Sequence, residues 1–201
     1  MESLRIKDFL LIVEKYGYLL IAYYMHAFHR NECNLKGRSV RKDKLELYSG
    51  CWYGAYFFKF ILVSDLNILR VSYKFIANRI YICELVLSSE EHHFAVITDD
   101  NNAYILNTYG GVPELRIITH TIDHFNLLLN SSANPDVFEE IFGFYPYNDS
   151  PDAEIVEIVF KEYPLILPSL DQIKIKLTKI LKGLETEKDL SKLKKIIDKI
   201  I

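Results

Sequence analysis

Cysteine is scarce in this sequence: Cys33, Cys51 and Cys83 are the three present. An odd, irregularly spaced set is a poor disulfide framework, so the chain reads as one that keeps thiols in a reducing compartment, with only a Cys33–Cys83 pairing left open. Charge of one sign is also lacking. The net charge of −3 supplies no basic field to attract nucleic acid and no acidic block to repel it. Glycine and proline are few, at 8 and 6, and no repeat or low-complexity segment occurs. Long apolar runs are missing as well. The segment 16–28 is strongly apolar but too short to span a bilayer, and it carries His26. No basic region or small-residue cleavage site precedes it, so the expectation is a cytoplasmic chain with no membrane span.

What is present is apolar and aromatic. Half the residues are hydrophobic and 13% are aromatic, 14 of them Tyr, and 201 residues suffice for one domain with a real core. Apolar positions Phe9, Ile12, Val13, Tyr16, Leu19, Leu20 and Tyr23 recur at helical spacing and predict a helix over 5–30, weakened locally by Gly17. A polar stretch, 31–47, clusters Lys36, Arg38, Arg41, Lys42 and Lys44 and reads as a solvated loop. From Cys51 to about Leu66 an aromatic run predicts a buried helix, opened by the Ser49-Gly50 turn, and 69–77 reads as helix.

The pattern then changes. Strands are predicted over 80–87, 94–98, 103–107, 114–121 and 154–163, with helices over 123–130 and 135–142. Asp99-Asp100-Asn101-Asn102 is a hairpin turn signal, because Asn and Asp tolerate the left-handed region. Residues 169–201 carry nine Lys and five Asp or Glu among Ile and Leu at helical spacing, which predicts two amphipathic helices separated near 183–187. The order helices, antiparallel sheet, helices defines an α+β class. The expected organisation is a catalytic domain over 1–168 and a helical extension over 169–201. The extension either packs its apolar stripes on the body or serves a protein partner.

Three stretches carry the chemistry. In Ser49-Gly50-Cys51-Trp52, a cysteine opens a helix, where free N–H groups and the helix dipole favour the thiolate that acts as nucleophile. In Glu91-His92-His93-Phe94, a histidine at the mouth of a buried strand is placed to move a proton near neutral pH. In Ile105-Leu106-Asn107-Thr108-Tyr109-Gly110, the partner strand ends in an amide that can fix an imidazole's orientation and tautomer. A turn centred on 100–101 pairs residues whose numbers sum to 201. Phe94 then opposes Asn107, with His92 on Asn107's face and His93 on the other. A turn of odd length exchanges the two histidines.

These stretches resemble the papain-like and transglutaminase-like superfamily of cysteine enzymes. Gly50-Cys51-Trp52 looks like the Cys-Trp start of the papain central helix, and His92-His93-Phe94-Ala95 like the His-x-aromatic strand start of transglutaminase-like folds. Tyr104 to Gly110 looks like the strand and Asn-Ser-Trp-Gly turn of papain. The order Cys, His, Asn agrees with the family. The 41 residues from Cys51 to His92 match its compact members, such as transglutaminase-like cores, arylamine acetyltransferase-like enzymes and bacterial effector proteases. The likeness covers about 48–121. It implies a Cys51–His92–Asn107 triad, with His93 as the alternate to His92, Trp52 and Tyr109 walling a cleft, and a protein or peptide substrate cleaved at an amide bond. Deamidation, acyl transfer or an inactive binding module would use the same frame. No cofactor and no metal are implied, and a viral or effector origin would place the chain in a host cell. The papain Gln ahead of the nucleophile has no counterpart, since 44–50 contain neither Gln nor Asn. The Cys51 N–H is then one oxyanion donor, with the second unassigned. His26, His29 and Cys33 have helical spacing but no obvious fourth ligand, and His120 and His124 carry no motif.

Overall fold

The computed structural model describes residues 4–36, 50–63, 78–87, 91–108, 115–130, 155–184 and 187–200. The protein is α+β: helix α1 (Ile6–Lys36) and helix α2 (Gly50–Leu62), strands β1 (Arg79–Leu87), β2 (Glu91–Thr98), β3 (Asn102–Thr108) and β4 (Leu115–Thr121), helix α3 (Ile122–Asn130), strand β5 (Ile155–Pro164), and helices α4 (Leu170–Gly183) and α5 (Glu187–Ile200). Helix α1 continues six residues past the expected end, into the polar segment read as loop. The expected helices over 69–77 and 135–142 lie outside the described residues. Among the described residues no helix is long and apolar enough to cross a membrane.

The strands form one sheet in the order β4-β3-β2-β1-β5. β1 pairs antiparallel with both β2 and β5, and β2 with β3. The β2–β3 register is the one expected from the turn: Ala95 faces Leu106 and Thr98 faces Ala103. Asp99 builds the turn. Its Oδ1 accepts from the N–H of Asn101 at 2.9 Å and of Asn102 at 2.7 Å, and its Oδ2 accepts from the Tyr104 hydroxyl at 3.1 Å. This is a side chain standing in for a backbone turn bond, which locks loop length and therefore register.

The chain divides into two compact units: 1–53 with 109–115 and 167–201, and 54–108 with 116–166. The division passes through α2, between Tyr53 and Gly54. In the first unit α4 buries Ile173, Leu177 and Ile180, and α5 buries Leu193 and Ile197, at the spacing of one helix face. The end of α4 lies against the backbone of α1: a Cβ on Gly183 would stand 3.0 Å from the Ala27 carbonyl oxygen. Ser169 opens α4 with a reciprocal cap. Its N–H donates to Gln172 Oε1 at 2.8 Å, and its hydroxyl accepts from the Gln172 N–H at 3.3 Å.

In the second unit the two faces of the sheet are covered differently. One face carries Cys83 and Leu85 of β1, Phe94 and Val96 of β2, and Ala103 and Ile105 of β3, packed around Phe125 of α3. Helix α2 covers the opposite face. A Cβ on Gly54 would strike the side chain of Thr108, at 3.0 Å from Cγ2, and Lys59 Nζ donates to the Tyr163 hydroxyl at 2.7 Å. Both partners project away from the Phe125 side, by the alternation of strand side chains. Phe57, Phe58, Ile61 and Leu62 of α2 are buried. Each such side chain contributes about 1.5–3 kcal/mol through the apolar area it removes from water.

Candidate functional site

The clearest polar feature inside the sheet joins β2 to β3. His92 Nε2 lies 2.8 Å from Asn107 Oδ1, and both side chains are buried, at 3% and 1% exposed. The pairing follows from the register. Asn107 is on the face of Ala103 and Ile105, and His92 is on the face of Phe94, which it stacks against with ring centroids 6.2 Å apart. An amide oxygen can only accept, so the bond places the ring proton on Nε2 and leaves Nδ1 as the unprotonated nitrogen. Burial lowers the His92 pKa to about 4. The Asn107 bond opposes that effect and the neighbouring His93 adds to it. The imidazole is therefore neutral at pH 7, in the form that can take a proton.

His93 occupies the other face, opposite Glu84 on β1. Its Nε2 is 4.0 Å from Glu84 Oε2, and that same oxygen accepts from Lys161 Nζ at 3.3 Å. Burial lowers the His93 pKa, against the pull of Glu84 and Glu91 in the other direction. The two adjacent histidines thus stand back to back: His92 with Asn107 on the side of α3, and His93 with Glu84 on the side that α2 covers.

Cys51 is the second residue of α2, half-buried and not in a disulfide. It precedes Gly54 by one turn on the same helix face. Within the second unit, the missing side chain at Gly54 lets the helix backbone there approach the end of β3 at Thr108, the residue next to Asn107. Trp52 is also half-buried and meets the Tyr53 ring edge-on at 4.9 Å. Tyr109, the other expected wall of the cleft, lies outside the described residues, as do 44–49. Cys83 is fully buried, and burial pushes its thiol well above the ordinary range, which suits a core residue and not a nucleophile. The side chains of His29 and Cys33 are outside the described residues. His120 and His124 meet edge-on at 5.0 Å beside α3.

The structure therefore brings His92 and Asn107 together and sets His93 apart from both. Sequence reasoning missed Glu84 and Thr108. Glu84 was one acidic residue in a strand until the β1–β2 register placed it opposite His93, and Thr108 gains meaning only from a glycine 54 positions earlier. No protein-family model, no curated protein and no solved structure matches this chain.

Proposed function

We propose that the protein is a thiol hydrolase that cleaves an amide bond of a protein or peptide, with Cys51 as nucleophile, His92 as general base and acid, and Asn107 as the residue that holds the imidazole. The Cys51 thiol gives its proton to His92 Nδ1 as sulfur bonds to the substrate carbonyl carbon. His92 returns that proton to the leaving amine as the C–N bond breaks. Water, deprotonated in turn by His92, then releases the acyl group from sulfur. The observation that carries the reading is the buried 2.8 Å bond from His92 to Asn107, which fixes the tautomer with Nδ1 unprotonated. The helix-opening position of Cys51 supports it, since the N-terminal dipole favours a thiolate. Deamidation and acyl transfer run through the same three side chains.

A second reading exchanges the histidines. It is favoured by the packing of α2, which covers the face of His93 and not that of His92. Alkylation separates the readings. Near neutral pH, iodoacetamide followed by peptide mass mapping is expected to label Cys51 ahead of Cys33 and Cys83. His92→Gln is expected to slow that labelling about tenfold or more, while His93→Gln leaves it within twofold. The reverse pattern assigns the base to His93. Equal, slow labelling of all three cysteines, unaffected by either variant, overturns the thiol-enzyme reading.

A further inference from the structure

We infer that Glu84, Glu91 and His93 form a binding site for a divalent metal ion of the zinc class, on the α2-covered face of the sheet. This goes beyond the thiol-enzyme reading and uses none of Cys51, His92 and Asn107. Glu84 and His93 are cross-strand partners on β1 and β2, and Glu91 stands two residues before His93 on the same face. One ligand atom from each of the three lies within 4.8 Å of the others.

The state of His93 singles the cluster out. Its side chain is 8% exposed, yet among the described residues its ring makes no hydrogen bond, and its Nε2 faces the Glu84 carboxylate from 4.0 Å. An imidazole nitrogen and two carboxylates this close, with no hydrogen bond from the ring to either, form a donor set that suits a cation between them. A divalent cation fits it, taking the neutral ring nitrogen and one oxygen from each carboxylate. Lys161 is an incomplete substitute. It is half-exposed and reaches Glu84 alone of the three, at 3.3 Å.

Zinc binds imidazole nitrogen and carboxylate oxygen at about 2.0–2.2 Å, so two ligands on a tetrahedral ion stand about 3.4 Å apart. From separations of up to 4.8 Å the cluster contracts by up to about 1.4 Å to reach that spacing, within the reach of the two glutamate side chains. The nitrogen ligand favours zinc or cobalt over magnesium or calcium, which prefer oxygen alone. Three protein ligands leave a fourth position for water.

Calorimetric titration of the full chain with zinc chloride, and with cobalt chloride read by its visible absorption, tests the site. One ion is expected to bind with a sub-millimolar or tighter constant, and the cobalt spectrum is expected to lack thiolate charge-transfer bands. Glu84→Gln, Glu91→Gln and His93→Gln are each expected to weaken binding tenfold or more. Lys161→Met, which removes the competing cation, is expected to tighten it several-fold. Glu91 is exposed, so its variant keeps the fold, and the Lys161 variant moves affinity in the opposite direction to any general damage. No binding, binding that survives Glu91→Gln and His93→Gln, thiolate bands in the cobalt spectrum, or weaker binding by Lys161→Met would each overturn the assignment. The readout is metal binding alone, so a failure here leaves the alkylation pattern of Cys51 as a separate result.

Discussion

Replacing Gly54 by alanine sets two effects of opposite sign against each other. Helix propensity favours the change: alanine inside a helix is about 1 kcal/mol better than glycine. Packing opposes it. The added Cβ would lie 3.0 Å from Thr108 Cγ2 and 3.1 Å from Thr108 Cβ, with the hydroxyl oxygen nearer still. Thr108 is 1% exposed and branched at Cβ, so it has little freedom to turn away. Overpacking of this kind costs about 1–3 kcal/mol or more, so the clash wins and Gly54→Ala is destabilising by about 1–2 kcal/mol net. Urea denaturation followed by circular dichroism measures it. Thr108→Ala removes two of the three clashing atoms, so the double variant is expected to recover at least about 1 kcal/mol relative to the sum of the singles. A Gly54→Ala protein more stable than the parent, or strict additivity with Thr108→Ala, would show that α2 does not rest on the end of β3.

Further outcomes follow from the same geometry. Asn107→Ala strands the buried His92 N–H and is expected to cost about 1–3 kcal/mol, checked by denaturation. In metal-free buffer, stability attached to His92 is complete above its unfolded value of 6.5 and is lost as pH falls toward the folded value of about 4, because the unfolded chain binds the proton first. At 1.36 kcal/mol per pH unit the full loss is about 3 kcal/mol, and a His92→Gln protein whose acid slope equals the parent's would refute it. Ser169→Ala removes half of the reciprocal cap on α4 and is expected to cost about 1 kcal/mol, read as a lowered thermal midpoint.

Much of the second unit was legible from residue order, because local rules decide it. The Asp99 turn sets the loop length, the loop length sets the register, and the register places His92 and Asn107 on one face. The helix opening at Gly50-Cys51 and the two C-terminal amphipathic helices were readable for the same reason: capping and periodicity act over a few residues. Which face of the sheet each helix covers was not readable. That choice depends on Phe125 meeting Phe94 and Ile105 on one side and on Gly54 meeting Thr108 on the other, contacts between residues far apart in sequence. The polar end of α1 shows the complementary limit, since a sequence without an apolar stripe gives helical periodicity nothing to find.

The sheet order has a consequence for synthesis. β1 is flanked by β2, which follows it at once, and by β5, which begins only at Ile155. As the chain emerges from the ribosome, the β1–β2–β3 meander can assemble early. The outer rim of β1 must then wait, its amides and carbonyls unmatched, while the next half-hundred residues are made. Such a rim is a template for any stray extended segment. A late, long-range closure of this kind makes the β1–β5 seam the slow and aggregation-exposed step of maturation.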